Sequence, residues 1–160
     1  MQTNYAYSGN PALRQGLLFG LLLTLFTIVF NAILSLVGWS IWFIGVTMTT
    51  NTATGRFISI VGFVVAVLAY LIAGRRAAQQ TGRVGTGASA GSWAGFVAAT
   101  ITSVYSLIYY ATTTTPVHPF TVSEFVFSAV TSIILTMLGG AVIGALGGLL
   151  RKSTSLRRTR

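Results

Sequence analysis

The chain has no cysteine, one acidic side chain, one histidine and three prolines in 160 residues. Without cysteine there is no disulfide framework, no thiolate nucleophile and no cysteine metal site. Glu124 and His118 stand alone in their classes. Acid–base and metal chemistry need two or more titratable or ligating groups brought together, and few are available here. Charge is also scarce, at 7% of residues, against about 25% in a soluble domain. The expectation is a protein without enzymatic activity, cofactor or metal.

What is present is apolar: 53% of residues are hydrophobic and the mean hydropathy is +0.78. A bilayer core about 30 Å thick takes roughly 20 apolar residues at 1.5 Å per residue. Four stretches qualify, at about 17–37, 57–74, 87–110 and 122–150. The expected fold is all-α, a polytopic transmembrane four-helix bundle. A cytoplasmic segment (1–10) precedes a transmembrane domain (11–150), and a basic cytoplasmic tail (151–160) follows. The first span ends somewhere between residues 37 and 48, where Trp39, Trp42 and Phe43 read as an interfacial aromatic belt. Its apolar run exceeds that of a signal peptide and no A-x-A-like site follows, so it reads as an uncleaved anchor.

Ten basic residues against one acid give a net charge of +9 and a pI near 11.3. Such a balance raises nucleic acid as a partner, but the placement of the charges says otherwise. Arg14, Arg75, Arg76, Arg83, Arg151, Lys152, Arg157, Arg158 and Arg160 share one side of a four-span topology, and Arg56 alone lies on the other. The positive-inside rule then places both termini in the cytoplasm, in a multi-pass protein of the cytoplasmic (inner) membrane. Tyr105, Tyr109, Tyr110, Phe120 and Phe125 gather at the outer side, in agreement. The tail residues Arg151, Lys152, Arg157, Arg158 and Arg160 face lipid in this reading. Anionic headgroups would attract each by about 1 kcal/mol. No base-stacking aromatic accompanies them, so nucleic acid is not expected.

Helices associate in lipid through close backbone approach and hydrogen bonds, which Gly, Ala, Ser and Thr permit. The first span carries Gly16, Gly20, Thr24, Thr27, Asn31, Ser35 and Gly38 on one stripe, and the second has Ser59, Gly62, Ala66, Ala69 and Ala73. The third has Gly87, Gly91, Gly95, Ala98, Ala99, Thr102 and Ser106, which leaves Trp93, Val97, Val104 and Ile108 to meet lipid. Ser128, Ser132, Thr136, Gly140, Gly144 and Gly148 recur every four residues in the fourth. A four-residue row winds around a 3.6-residue helix, so it should touch more than one neighbour, including a second protomer. These GxxxG-type faces are the expected packing surfaces. Asn31 is a lone membrane-embedded amide expected to bond a neighbouring helix. The arginine-then-glycine openings at Arg14 and Arg83, and the basic pairs Arg75-Arg76 and Arg151-Lys152, suggest two parallel helical hairpins.

Three local motifs invite chemistry. Thr121-Val122-Ser123-Glu124 fits a capping box, with Thr121 as N-cap and Glu124 as its partner, flanked by a Phe120/Phe125 staple. That reading is preferred to a proton or ion site, because the acid is shallow in the span. His118, between Pro116 and Pro119, reads as a loop histidine. Thr81-Gly82-Arg83-Val84-Gly85-Thr86-Gly87 looks like a phosphate loop, but Ala88 and Ser89 stand where Walker A requires Lys and Ser or Thr. It reads as a flexible turn into the third span.

From Ala73-Gly74-Arg75-Arg76 through that same turn, the chain resembles loops in small, glycine-rich four-span prokaryotic membrane proteins. The resemblance implies the same architecture and carries over no functional residues. Better-known four-span families fit poorly: the first span lacks the embedded Glu of small multidrug transporters, and the cysteine pair of tetraspanins and claudins is missing. The expected function is a structural or accessory membrane component that packs against itself or a partner membrane protein. The alternative is a small transporter or a channel-forming, holin-like oligomer, with Thr24, Thr27, Asn31 and Ser35 along the path.

Overall fold

Asn10 and Pro11 open the first helix. The Asn10 side-chain oxygen accepts the amide hydrogen of Ala12 at 3.1 Å, and proline at the first helical position supplies a preset φ where no donor is missed. The structure, a computed structural model, describes residues 10–36, 53–112 and 121–156. Four helices follow in order: α1 (Pro11–Leu36), α2 (Ala53–Thr81), α3 (Val84–Thr112) and α4 (Val122–Leu156). Among the described residues there is no strand. Each helix is long and apolar enough to cross a bilayer, which defines a multi-pass α-helical membrane protein.

The helices outrun the expected spans. α2 continues past Gly74 to Thr81 with Arg75 and Arg76 inside it, because Arg, Ala and Gln are good helix formers even where hydropathy fails. The stop is Gly82, whose φ of 74° is the left-handed conformation that a C′ glycine supplies at no steric cost. Its amide donates to Ala78 O at 2.8 Å. The expected seven-residue turn therefore shrinks to Gly82 and Arg83. The Thr81 hydroxyl ties the corner, accepting from Arg83 N at 3.3 Å and donating to Thr86 Oγ1 at 2.9 Å. α4 runs 35 residues, so the first part of the basic tail is helical.

Among the described residues α3 touches all three other helices, and so does α2, whereas α1 and α4 do not meet. Among the described residues the interior is built mostly from alanine: Ala12, Ala73, Ala77, Ala78, Ala90, Ala94, Ala98 and Ala99 are buried, with only Phe19, Leu23 and Tyr70 as large members. Large apolar side chains point outward instead, Phe63, Leu135 and Val142 among them. Lipid tails are as apolar as leucine, so such residues gain little from facing inward and small ones let the backbones close.

One expected lipid face is corrected here. Val97 and the stem of Trp93 pack against α1: a Cβ built on Gly20 would lie 2.8 Å from Val97 Cβ, and one on Gly16 would overlap Trp93 Cβ. The glycines of α1 are hollows that receive larger residues of α3. Val104 and Ile108, farther along, are exposed as expected.

Candidate functional site

At the end of the bundle that carries Arg14, Arg75, Arg76 and Arg83, helices meet backbone to backbone. A Cβ at Gly87 would sit 2.8 Å from Gly144 O and 2.9 Å from Gly74 O, which brings α2, α3 and α4 to one point. Gly91 faces the Gly140 carbonyl, Gly95 the Thr136 carbonyl and Gly147 the Leu71 carbonyl, each too close to admit a methyl group. A Cβ on Gly148 would lie 3.3 Å from Val84 Cα and 3.4 Å from Ala78 Cβ. The row Gly140, Gly144 and Gly148 therefore faces α3 and α2 of the same chain. Gly139, by contrast, has nothing near it.

Farther along the bundle the packing opens into a cavity of about 130 Å³ lined by all four helices. That volume approaches the about 150 Å³ of an engineered cavity that holds benzene. α1 supplies Leu23, Phe26 and Thr27; α2 supplies Gly62, Ala66 and Tyr70; α3 supplies Ala98, Ala99 and Thr102; α4 supplies Ser132 and Thr136. The threonines are already committed as donors. Thr27 donates to Leu23 O at 2.9 Å, Thr102 to Ala98 O at 2.6 Å and Thr136 to Ser132 O at 2.6 Å. Their lone pairs are what they can offer an occupant. Among the described residues no charged side chain lines the space.

Leu23, Phe26 and Tyr70 are lining residues that sequence reasoning missed, and Tyr70 is the one that stands on a small-residue stripe. It sits four residues after Ala66 and three before Ala73 on the same stripe, and that spacing was the available signal. Asn31 behaves differently from expectation: its amide donates to Thr27 O of its own helix at 2.8 Å, one turn back, and it does not line the cavity. A nearby main-chain carbonyl is the easier partner, since it needs no neighbour in register. Thr24 likewise turns its hydroxyl to Gly20 O at 2.9 Å. Among the described residues, the buried atoms Gln15 Oε1, Thr100 Oγ1 and Ser103 Oγ have no hydrogen-bond partner.

At the opposite end, Thr121 N donates to the Glu124 carboxylate at 2.8 Å while Glu124 N donates to Thr121 Oγ1 at 3.3 Å. This is a reciprocal capping box. The Thr121 hydroxyl adds a 2.9 Å bond to the same carboxylate oxygen. Among the described residues no group of three His, Cys, Asp or Glu side chains converges.

Several sequence readings lie outside the described residues. They concern the Trp39–Phe43 belt, Gly38, the loop with Pro116, His118, Pro119 and Phe120, and the tail residues Arg157, Arg158 and Arg160. Arg151 and Lys152 fall on helical backbone of α4, Arg56 and Ser59 on α2, Ser35 on α1, and Tyr109 and Tyr110 on α3; their side chains are likewise outside the description.

The fold and its cavity define the class: a small four-span helical membrane protein with an alanine- and glycine-built interior. Compared with protein-family models, curated proteins and solved structures, the chain finds no match in any of the three.

Proposed function

We propose that this is a non-catalytic structural or accessory component of the cytoplasmic membrane, with both termini in the cytoplasm. It acts by packing its helices against a partner membrane protein or a second copy. The observation that carries this reading is the meeting of Gly74, Gly87 and Gly144, where the backbones of three helices come too close to admit a methyl group. In this reading the glycines form a zipper that makes the bundle a rigid unit, and its outward apolar faces, such as Phe127, Leu135 and Val142, are left for lipid and partner helices. The orientation rests on the nine-to-one distribution of basic residues. Kinship with glycine-rich four-span prokaryotic proteins is part of the same proposal and rests on the α2–α3 corner.

The test is reconstitution into liposomes with a parallel native mass measurement from mild detergent. Background ion and small-solute flux, with a defined oligomer or co-purifying membrane partner, supports the accessory role. The second reading, a small transporter or a channel/holin-like oligomer, is favoured by the hydroxyl-bearing cavity. Flux above that of empty liposomes, abolished by filling the cavity with Ala66→Phe, would establish it instead.

A further inference from the structure

We propose that Arg75 and Arg76 form a binding site for the phosphate of an anionic membrane phospholipid, whose acyl chains lie along the exposed strip of α2. Val64, Leu68 and Ile72 are exposed on α2 at four-residue intervals, and the strip ends at the two arginines, also exposed. An apolar strip closed by adjacent cations has the polarity profile of a lipid from tail to headgroup.

The placement of Arg76 distinguishes it from a topology signal that simply reaches for water. Side chains leave a helix tilted toward its N-terminus, and for α2 that direction runs back along the apolar span. The Arg76 guanidinium carbon accordingly lies 5.7 Å from the centre of the Phe19 ring, and Phe19 is buried at 9% exposure. The ring holds the cation at the edge of the apolar layer, where a charge needs a counterion.

The chain itself has little to offer. Its one acidic side chain is Glu124, which is bonded to Thr121 at the far end of α4. Arg75 lies beside Gly147: a Cβ there would be 3.1 Å from Arg75 N. From Gly147 to Glu124 the helix rises about 34 Å at 1.5 Å per residue. Arg75 thus starts at the α2–α4 seam and Arg76 at the α1–α2 seam, so the pair flanks the exposed face of α2. Guanidinium forks match phosphate oxygens two at a time. The site is separate from the basic tail and does not depend on the accessory role, so flux in liposomes would leave it standing.

The experiment titrates the full chain in mild detergent with phosphatidylglycerol or phosphatidylcholine of equal chain length, and counts retained lipids by native mass spectrometry. The wild type is expected to prefer phosphatidylglycerol by roughly tenfold or more. Arg76→Gln should lose most of the preference, Arg75→Gln with Arg76→Gln all of it, and Arg151→Gln with Lys152→Gln little. Arg76→Lys keeps the charge and the fold and should retain only part, since an ammonium lacks the planar fork. Equal binding of the two lipids by the wild type, or full preference in the double Gln variant, overturns the site. Displacement by millimolar inorganic phosphate would assign it to a free anion, and loss of an acidic protein partner with lipid retention unchanged would assign it to a protein; either overturns the lipid proposal.

Discussion

Gly91 of α3 faces the carbonyl oxygen of Gly140 on α4 so closely that a methyl group on Gly91 would overlap it. The obstacle is backbone, which cannot rotate aside as a side chain can. Gly91→Ala should therefore push α3 from α4 and cost about 1–3 kcal/mol, the usual range for overpacking. Gly139→Ala, on the same helix with open space around it, should be neutral or slightly stabilising through helix propensity. Thermal unfolding of the two variants in one detergent checks the contrast, and equal effects would remove the close contact from the account.

Filling space should act in opposite directions at two alanines of α2. Ala66 borders the cavity, so Ala66→Leu is expected to gain about 0.5–2 kcal/mol, as cavity-filling changes commonly do. Ala73 is 0% exposed, and Ala73→Leu should lose about 1–3 kcal/mol. The same unfolding measurement reads both, and the sign at each position is the result that matters.

Gly82 holds a φ of 74° at the α2–α3 corner. Gly82→Ala should destabilise the hairpin by about 1 kcal/mol, the strain of a left-handed L-residue, and Gly82→Asn by less. Amide hydrogen exchange across Thr81–Thr86 should rise in the same order.

Loss of the cap should be a local event. Thr121→Ala and Glu124→Ala remove the reciprocal bonds at the start of α4, so amides of its first turn should exchange faster. The rest of the helix should keep its protection, because no packed side chain is disturbed.

The spans and the cap were legible because each is written locally. Four apolar runs announce four helices, and Thr121 with Glu124 announces a helix start. The helix ends were less so: Arg75 and Arg76 end an apolar run without ending a helix, and the Asn10-Pro11 start carries no hydropathy at all. Partner choice was the least legible. Gly16 and Gly20 look like a face for other small residues, yet they receive Trp93 and Val97, because periodicity tells which residues share a face and says nothing of which face it meets. Asn31 misled for a related reason, since an amide can bond its own helix as readily as another. Tyr70 lay hidden among alanines, where one bulky residue on a small-residue stripe marks the boundary of a cavity.

The closed interior of the basic half is the feature on which the functional reading depends, and the cysteine-free chain allows it to be probed one thiol at a time. Ala73→Cys and Ala94→Cys place small thiols at positions 0% and 1% exposed, and Thr112→Cys provides an exposed reference. In intact membranes a charged, membrane-impermeant thiol reagent applied to either face should label the reference from one side and leave the two interior thiols unmodified. Labelling of Ala73→Cys or Ala94→Cys from either side would mean that water reaches the axis, and it would contradict a closed, non-conducting bundle.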